Sequence, residues 1–324
     1  MTYNNTLQGR FVATGYPAAA MLFVSLLLWV AGYLFSIGSG FTLLDSIGLN
    51  FIDELFARAL SLLACVCAAL VLHNLYLFER RVPYLFSLFL WLLSVHLFLQ
   101  PDYVIAVALL LFLLAVAQLI SCCQETGQER AVFVAFAILS FSSLFLLQFV
   151  YLLPLFIAYL WVGNIFSVKR LFAALLGTVT PYWLLLGSLF VVPSLDGFLI
   201  PLKIGLLNIT TPAVIDFALQ QWLTLAMEIL VLLVTLFVFF SSALPAKPLL
   251  RRRLLYMLII DIYLLLLSFV VPQDYKLLLA WRLPTIAVMA AYVFSMNITR
   301  LSNIYFITLN IMWLAIAAAC LWII

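Results

Sequence analysis

The sequence predicts an all-α fold, a single polytopic bundle of transmembrane helices over residues 1–324. Of the 324 residues, 68% are apolar and only 8% are charged, whereas soluble domains are about 45–50% apolar and roughly 25% charged. The apolar residues form continuous runs of helical length, while membrane-spanning strands would alternate over about ten residues. The composition leaves no room for a separate soluble domain.

Eleven apolar runs separated by polar breaks are candidate crossings, because a helix needs about 20 residues to span the hydrocarbon core. They lie at residues 17–37, 55–78, 82–99, 103–121, 131–147, 151–166, 171–192, 218–240, 254–271, 277–296 and 304–324. Residues 131–166 could instead form one tilted helix with a re-entrant stub. We predict two crossings there, because a single crossing would reverse the charge distribution of every later loop.

The basic residues predict the orientation, since cytoplasmic loops carry the excess of Lys and Arg. Placing the tail of residues 1–16 in the cytoplasm puts eleven of the fifteen Lys and Arg residues on that side. Two longer connections, residues 38–54 and 193–216, then become outer-face loops that lie along the membrane interface.

Several function classes are excluded by missing motifs. The sequence has no Gly-rich phosphate loop, no Ser/His/Asp arrangement and no Cys-x-x-Cys, and its longest basic run is residues 251–253. Nucleic acid is therefore not a predicted partner, and soluble-type nucleotide chemistry is not expected. The predicted partners are membrane lipids and a membrane-embedded or lipid-linked substrate.

Charged residues inside predicted spans are functional candidates, because a charge at a helix centre costs roughly 2.5–3.5 kcal/mol on insertion scales. Glu228 lies midway along the eighth predicted span and Asp261 in the inner half of the ninth. We interpret them either as a proton or ion coupling site or as protonated carboxyls bonded to neighbouring helices. Counting from the shared inner turn puts them several ångströms apart in depth, so the sequence does not predict a pair.

Three further residues near the outer ends of predicted spans are candidates for substrate binding. Arg58 and Arg282 lie about one turn inside those ends, and His96 lies close to Asp102. Each arginine could extend to the lipid headgroups. Alternatively, both could hold an anionic headgroup or a pyrophosphate in their guanidinium forks.

Residues 56–163 contain four segments with a weak family resemblance: Arg58-Ala-Leu-Ser-Leu-Leu, Glu79-Arg80-Arg81, Gln100-Pro101-Asp102 and Leu152-Leu153-Pro154-Leu155. This region resembles the membrane core of the GT-C-type glycosyltransferases, which use polyprenyl-phosphate sugars. The resemblance implies that outer acidic residues bind metal or act as a base. The residues that it nominates as catalytic are Asp45, Asp53, Glu54 and Asp102. A divalent metal is expected only under this resemblance, and no other cofactor is evident.

A second resemblance extends over nearly the full length and includes the run from Phe166 to Tyr182, FSVKRLFAALLGTVTPY. Here the chain is similar to an uncharacterised inner-membrane family of the Bacteroidota. That resemblance implies a multi-pass protein of the bacterial inner membrane and implies no activity.

Three hypotheses for function follow from the sequence. The first is a GT-C-like scaffold, enzymatic or degenerate, that handles a lipid-linked sugar or an envelope lipid intermediate at the outer face. The second is a proton-coupled transporter or flippase that depends on Glu228 and Asp261. The third is a non-catalytic membrane subunit of a cell-envelope assembly, which requires a membrane-protein partner.

Overall fold

The computed structural model describes most of the predicted helical regions. The described residues are 15–38, eight positions between 59 and 71, 84–96, 103–122, 128–163, 165–191, 217, 219–241, 248–296 and 300–323. All regular secondary structure in this part of the chain is helical. The predicted all-α class is therefore confirmed. Residues 1–14, and the predicted outer loops apart from Gly38, lie outside the described residues.

The helices, in chain order, are α1 (Gly15–Gly38), α2 (Tyr84–Val95), α3 (Tyr103–Ser121), α4 (Gln128–Phe145), α5 (Leu153–Val162), α6 (Val168–Val191), α7 (Leu219–Ser241), α8 (Pro248–Val270), α9 (Tyr275–Met296) and α10 (Arg300–Ile323). Short 3₁₀ helices, Leu147–Leu152 and Pro272–Asp274, precede α5 and α9. Within the described residues, five helices are long and apolar enough to cross a membrane. They are α3, α6, α7, α8 and α9, and they support the predicted membrane location.

Helix α9 is the centre of the bundle. It contacts α2, α3, α7 and α8, and every side chain from residue 277 to residue 294 is buried. A helix that is apolar around its whole circumference is expected to be enclosed by other helices. The ring of Trp281 packs against Phe112 of α3 and Phe149, with centroids 5.8 and 4.9 Å away. Its indole N–H points to the Ala108 carbonyl oxygen at 3.4 Å.

The chain folds back on itself between α4 and α5. Leu146 is extended (φ −133°, ψ 100°) and interrupts the helix, and Pro154 lies in the first turn of α5. The rings of Phe136 and Phe156 meet edge to face with centroids 5.9 Å apart, although these residues are ten positions before and after Leu146. The chain therefore reverses direction within residues 131–166, and the two crossings predicted there stay a prediction.

Two polar contacts show which helix ends lie together. Gln148 Nε2 donates to Asp274 Oδ1 over 3.1 Å, so the α4–α5 turn adjoins the α8–α9 turn. At the opposite end, Arg252 Nη1 donates to the Gly163 carbonyl oxygen over 3.4 Å, where Arg satisfies a C-terminal carbonyl of α5. Ser167 Oγ accepts the backbone N–H of Arg170 and caps the start of α6.

Helix α6 packs closely on α4 through Gly177. A Cβ added to Gly177 would lie 2.5 Å from the Phe133 carbonyl oxygen and 3.1 Å from Phe136 Cβ. Ser140 Oγ also donates to the Thr178 carbonyl oxygen over 2.5 Å. Small residues that let helix backbones approach are the usual means of helix association in lipid. Elsewhere α6 has little burial, since only 11% of its candidate span is enclosed.

We expect Gly177→Ala to lower the thermal unfolding midpoint of the purified protein, because the new methyl group must displace the α4 backbone. Overpacking of this kind costs about 1–3 kcal/mol. Gly187→Ala on the same helix is the matched control, because its added Cβ meets nothing within 4 Å. Equal unfolding midpoints for the two variants would contradict the close α4–α6 contact.

Candidate functional site

Three charged side chains from three helices meet in the core of the bundle. Arg282 comes from α9, Asp261 from α8 and Glu228 from α7. Arg282 and Asp261 have no exposed surface, and Glu228 is 4% exposed. We refer to these three residues as the charge cluster. Their meeting point lies among apolar side chains, where charges persist only when they are paired or neutralised.

The guanidinium of Arg282 is bound by both acids. Its Nε–H donates to Asp261 Oδ1 over 3.2 Å, and Nη1 donates to Glu228 Oε2 in a short charged hydrogen bond. The Thr285 hydroxyl lies 3.2 Å from the same Asp261 oxygen and 2.6 Å from the Arg282 carbonyl oxygen. Thr285, one turn after Arg282, therefore helps to fix Asp261 against α9.

Hydrogen bonding in the charge cluster is incomplete. Within the described residues, Arg282 Nη2 has no acceptor, and Glu228 Oε1 and Asp261 Oδ2 have no donor. Buried polar atoms in native proteins nearly always have partners, and water or a ligand can supply them. The cluster therefore has unused capacity to donate and to accept hydrogen bonds.

Glu228 and Asp261 lie at the same depth, unlike the sequence-based expectation. Glu228 is 13 residues before the end of α7, and Asp261 is 13 residues after the start of α8. The prediction began the ninth span at residue 254, because hydropathy marks where lipid begins. The helix itself begins at Pro248, a favoured first residue, and includes Arg251–Arg253, whose propensity for helix is high.

Arg282 does not extend to the headgroups. Its side chain points inward to two carboxylates, which compensate its charge better than a long path to the membrane surface would. Substrate binding by Arg282 stays a prediction, and any anion must share the guanidinium with these acids. A signal in the sequence was present, because each of the three is the one charged residue of its predicted span, and these three spans are successive.

His96 is buried at the end of α2. Its Nδ1 lies 2.7 Å from the Leu92 carbonyl oxygen, so Nδ1 carries a hydrogen and donates it. The ring is also within electrostatic range of Arg282. Two of the three predicted substrate-binding residues therefore lie in one buried region, and the third, Arg58, lies outside the described residues.

The predicted catalytic acids Asp45, Asp53, Glu54 and Asp102 also lie outside the described residues. Within the described part of the chain, no group of three or more His, Cys, Asp or Glu residues could hold a metal ion. The metal expected from the glycosyltransferase resemblance depends on those four acids. Both the catalytic assignments and the metal therefore stay predictions.

We expect Arg282→Met to destabilise the protein by about 3–5 kcal/mol, the usual cost of leaving a buried charge without its partner. The loss of stability should be smaller at acidic pH, because protons can then neutralise the carboxylates of Glu228 and Asp261. Thermal unfolding of the purified protein across a pH series measures both effects.

The control for this experiment is the triple variant Glu228→Gln, Asp261→Asn and Arg282→Met, which has no charge at the site. The triple variant should be more stable than Arg282→Met and should approach the stability of the wild type. Its stability should also depend less on pH than the stability of Arg282→Met. Equal instability of the single and triple variants would contradict a cluster held by charge compensation.

No family model matches the chain, and neither the curated proteins nor the solved structures contain a significant match. The two resemblances described above therefore stay predictions. Function has to be argued from the charge cluster itself.

Proposed function

We propose that the chain is a proton-coupled membrane transporter and that the charge cluster takes up and releases the proton. One observation carries this proposal: a buried guanidinium is shared by two carboxylates from different helices. Ionisable residues that face the interior of a membrane bundle typically mark proton or substrate pathways.

Charge counting supports the exchange of a proton. With both acids ionised, the cluster of one Arg, one Glu and one Asp carries a net charge of −1. A single proton on either acid makes the cluster neutral, and burial in an apolar core favours the neutral form. The cluster can therefore alternate between two charge states that differ by one proton.

Glu228 is the acid that we assign to this proton. Asp261 Oδ1 accepts a bond from Arg282 Nε and faces the Thr285 hydroxyl, whereas Glu228 is bound, among the described residues, through Arg282 Nη1 alone. More donors around a carboxylate favour its ionised form. Protonation of Glu228 weakens its bond to Arg282 and therefore the attraction between α7 and α9. A chemical change at one side chain thus alters the contact between two helices of the core.

The other two hypotheses stay predictions. A GT-C-like scaffold that handles a lipid-linked sugar, such as a polyprenyl-phosphate sugar, depends on Asp45, Asp53, Glu54 and Asp102. A non-catalytic subunit of a cell-envelope assembly needs a partner in the membrane, and the largely exposed α6 offers such a partner a surface. Neither hypothesis explains why three charges are buried together.

We also propose eleven crossings of the bacterial inner membrane with the N-terminus in the cytoplasm. In support, Arg252 contacts Gly163 at the C-terminus of α5, close to Lys169 and Arg170. The α4–α5 reversal brings Arg130, near the start of α4, to the same end. Basic residues of three helices therefore share one end of the bundle, as the positive-inside rule requires.

Glu228→Gln is expected to abolish solute-driven proton movement in proteoliposomes that contain a pH-sensitive dye. The wild type should acidify or alkalinise the interior with at least one solute from a panel of carboxylates, phosphates, sugars and amino acids. Loss is expected because glutamine cannot exchange a proton. Glu129→Gln, an exposed position at the start of α4, is the matched control and should behave like the wild type. Proton movement that survives Glu228→Gln, or that no solute elicits in the wild type, would contradict the proposal.

The orientation has its own test in cells. In a variant with all five cysteines replaced, Lys276→Cys should react with a membrane-impermeant maleimide added outside, whereas Lys169→Cys should react only after permeabilisation. Both lysines are exposed, so each position is accessible from its own side. The reverse labelling pattern would overturn the proposed orientation.

A further inference from the structure

Building on the proposed function, we infer that the charge cluster binds a monovalent oxyanion at the terminal nitrogens of Arg282, and that one proton enters with it. The substrate class includes carboxylates, phosphodiesters and sulfonates. These groups present two oxygens whose spacing matches two parallel N–H donors of a guanidinium.

Arg282 has more N–H donors than the two acids engage. A guanidinium has five N–H donors in a planar fork. Nε is engaged by Asp261 and Nη1 by Glu228, while Nη2 has no acceptor within the described residues. Nη1 and Nη2 are neighbours at the end of the fork. If Glu228 leaves Nη1, two adjacent N–H donors are free to bind a ligand inside the bundle.

The charge of the cluster favours a monovalent anion. With both acids ionised, Arg282 pairs with two negative charges, one on each carboxylate. When Glu228 accepts a proton, one of these charges is lost, and a monovalent oxyanion restores it. The number of negative charges around the guanidinium is then the same before and after exchange. Symport of one proton with one monovalent anion therefore leaves the net charge of the cluster unchanged.

Asp261 holds Arg282 in place independently of Glu228. Asp261 remains bound to Nε and close to Thr285, so Arg282 keeps its position when Glu228 departs. Pro284 lies between Arg282 and Thr285 and lacks the N–H that would bond to the Ala280 carbonyl oxygen. The central helix therefore continues past the site with one backbone hydrogen bond missing, and this leaves the Ala280 carbonyl oxygen without its helical partner.

Other titratable groups also face the cluster. His96 on α2 and Tyr275 on α9 are within electrostatic range of Arg282. Asp261 faces it from α8. These groups are alternative acceptors for the proton that is assigned to Glu228. The experiment therefore includes a variant that removes the carboxyl group of Glu228.

The experiment measures proton uptake when an oxyanion binds to the full-length protein in detergent micelles. Methanesulfonate is the soluble probe, because it does not itself titrate near neutral pH. Its sodium salt is added to weakly buffered protein, with sodium chloride at equal concentration as the reference. At a pH at which both acids are ionised in the free protein, we expect about one proton to be taken up per protein at saturation. In that range the affinity should rise by up to about tenfold for each unit of falling pH.

Two variants locate the donor fork and the proton. Glu228→Gln mimics the protonated acid, so it should bind methanesulfonate without proton uptake and with an affinity independent of pH. Arg282→Lys replaces the fork by a single point charge and should weaken binding about tenfold or more. Glu129→Gln and Arg251→Lys, both at exposed positions, are the matched controls and should keep the wild-type proton count.

A second probe distinguishes a soluble substrate from a lipid headgroup. Dihexanoyl phosphatidylglycerol carries a phosphodiester and replaces methanesulfonate in the same titration. Proton uptake on addition of methanesulfonate supports a soluble anion as the substrate. Proton uptake on addition of the lipid alone supports a lipid headgroup as the substrate. Absence of proton uptake with both probes overturns the inference, and the wild-type measurement decides this even if the variants fail to fold.

The outcomes also separate this inference from the proposed function. Equal proton uptake with sodium chloride, or uptake that persists in Glu228→Gln, overturns the oxyanion site as stated. Solute-driven proton movement that depends on Glu228 but needs no oxyanion would leave the transporter proposal standing. Oxyanion binding with proton uptake but without transport would support the oxyanion site and contradict the transporter proposal.

Discussion

Compensation of one buried cation by two carboxylates is the constraint on which the core of this bundle depends. Apolar helix faces pack in several registers at similar energy, since lipid and leucine are equally apolar. Glu228 and Asp261 must both reach the same guanidinium. This requirement fixes the relative depth and rotation of α7, α8 and α9, because a shift of one turn would separate a charge from its partner. Buried polar groups are known to set register in this way, often at some cost in stability.

Much of the fold could be predicted from the sequence, because lipid permits so few solutions. Continuous apolar runs leave helices as the available structure, and the rarity of charge singled out Glu228, Asp261 and Arg282. Their meeting could not be predicted by counting residues from loop boundaries. The arginines at the start of α8 belong to the helix, and a boundary set by hydropathy moved Asp261 away from its true depth. The direction of the Arg282 side chain depends on neighbours that are distant in sequence.

The structure also joins two ideas that the sequence kept apart. Arginine as a holder of anions and carboxylates as carriers of protons were separate hypotheses about separate residues. At the charge cluster they concern the same few atoms, since Arg282 Nη1 is the donor to Glu228. An anion and the Glu228 carboxylate would compete for that donor. Anion binding and proton binding are then coupled at one place, and no long pathway between two sites is needed. The outer-loop acids, by contrast, take no part in this argument, because they lie outside the described residues.

The two adjoining turns have a mechanical consequence. Gln148 is bonded to Asp274, Tyr263 OH donates to the Tyr151 carbonyl oxygen over 2.5 Å, and Phe149 packs on Trp281. These contacts fasten one end of α8 and α9 to the α4–α5 turn. Because these contacts hold that end together, any movement of α8 and α9 relative to α4 and α5 would be larger at the opposite end.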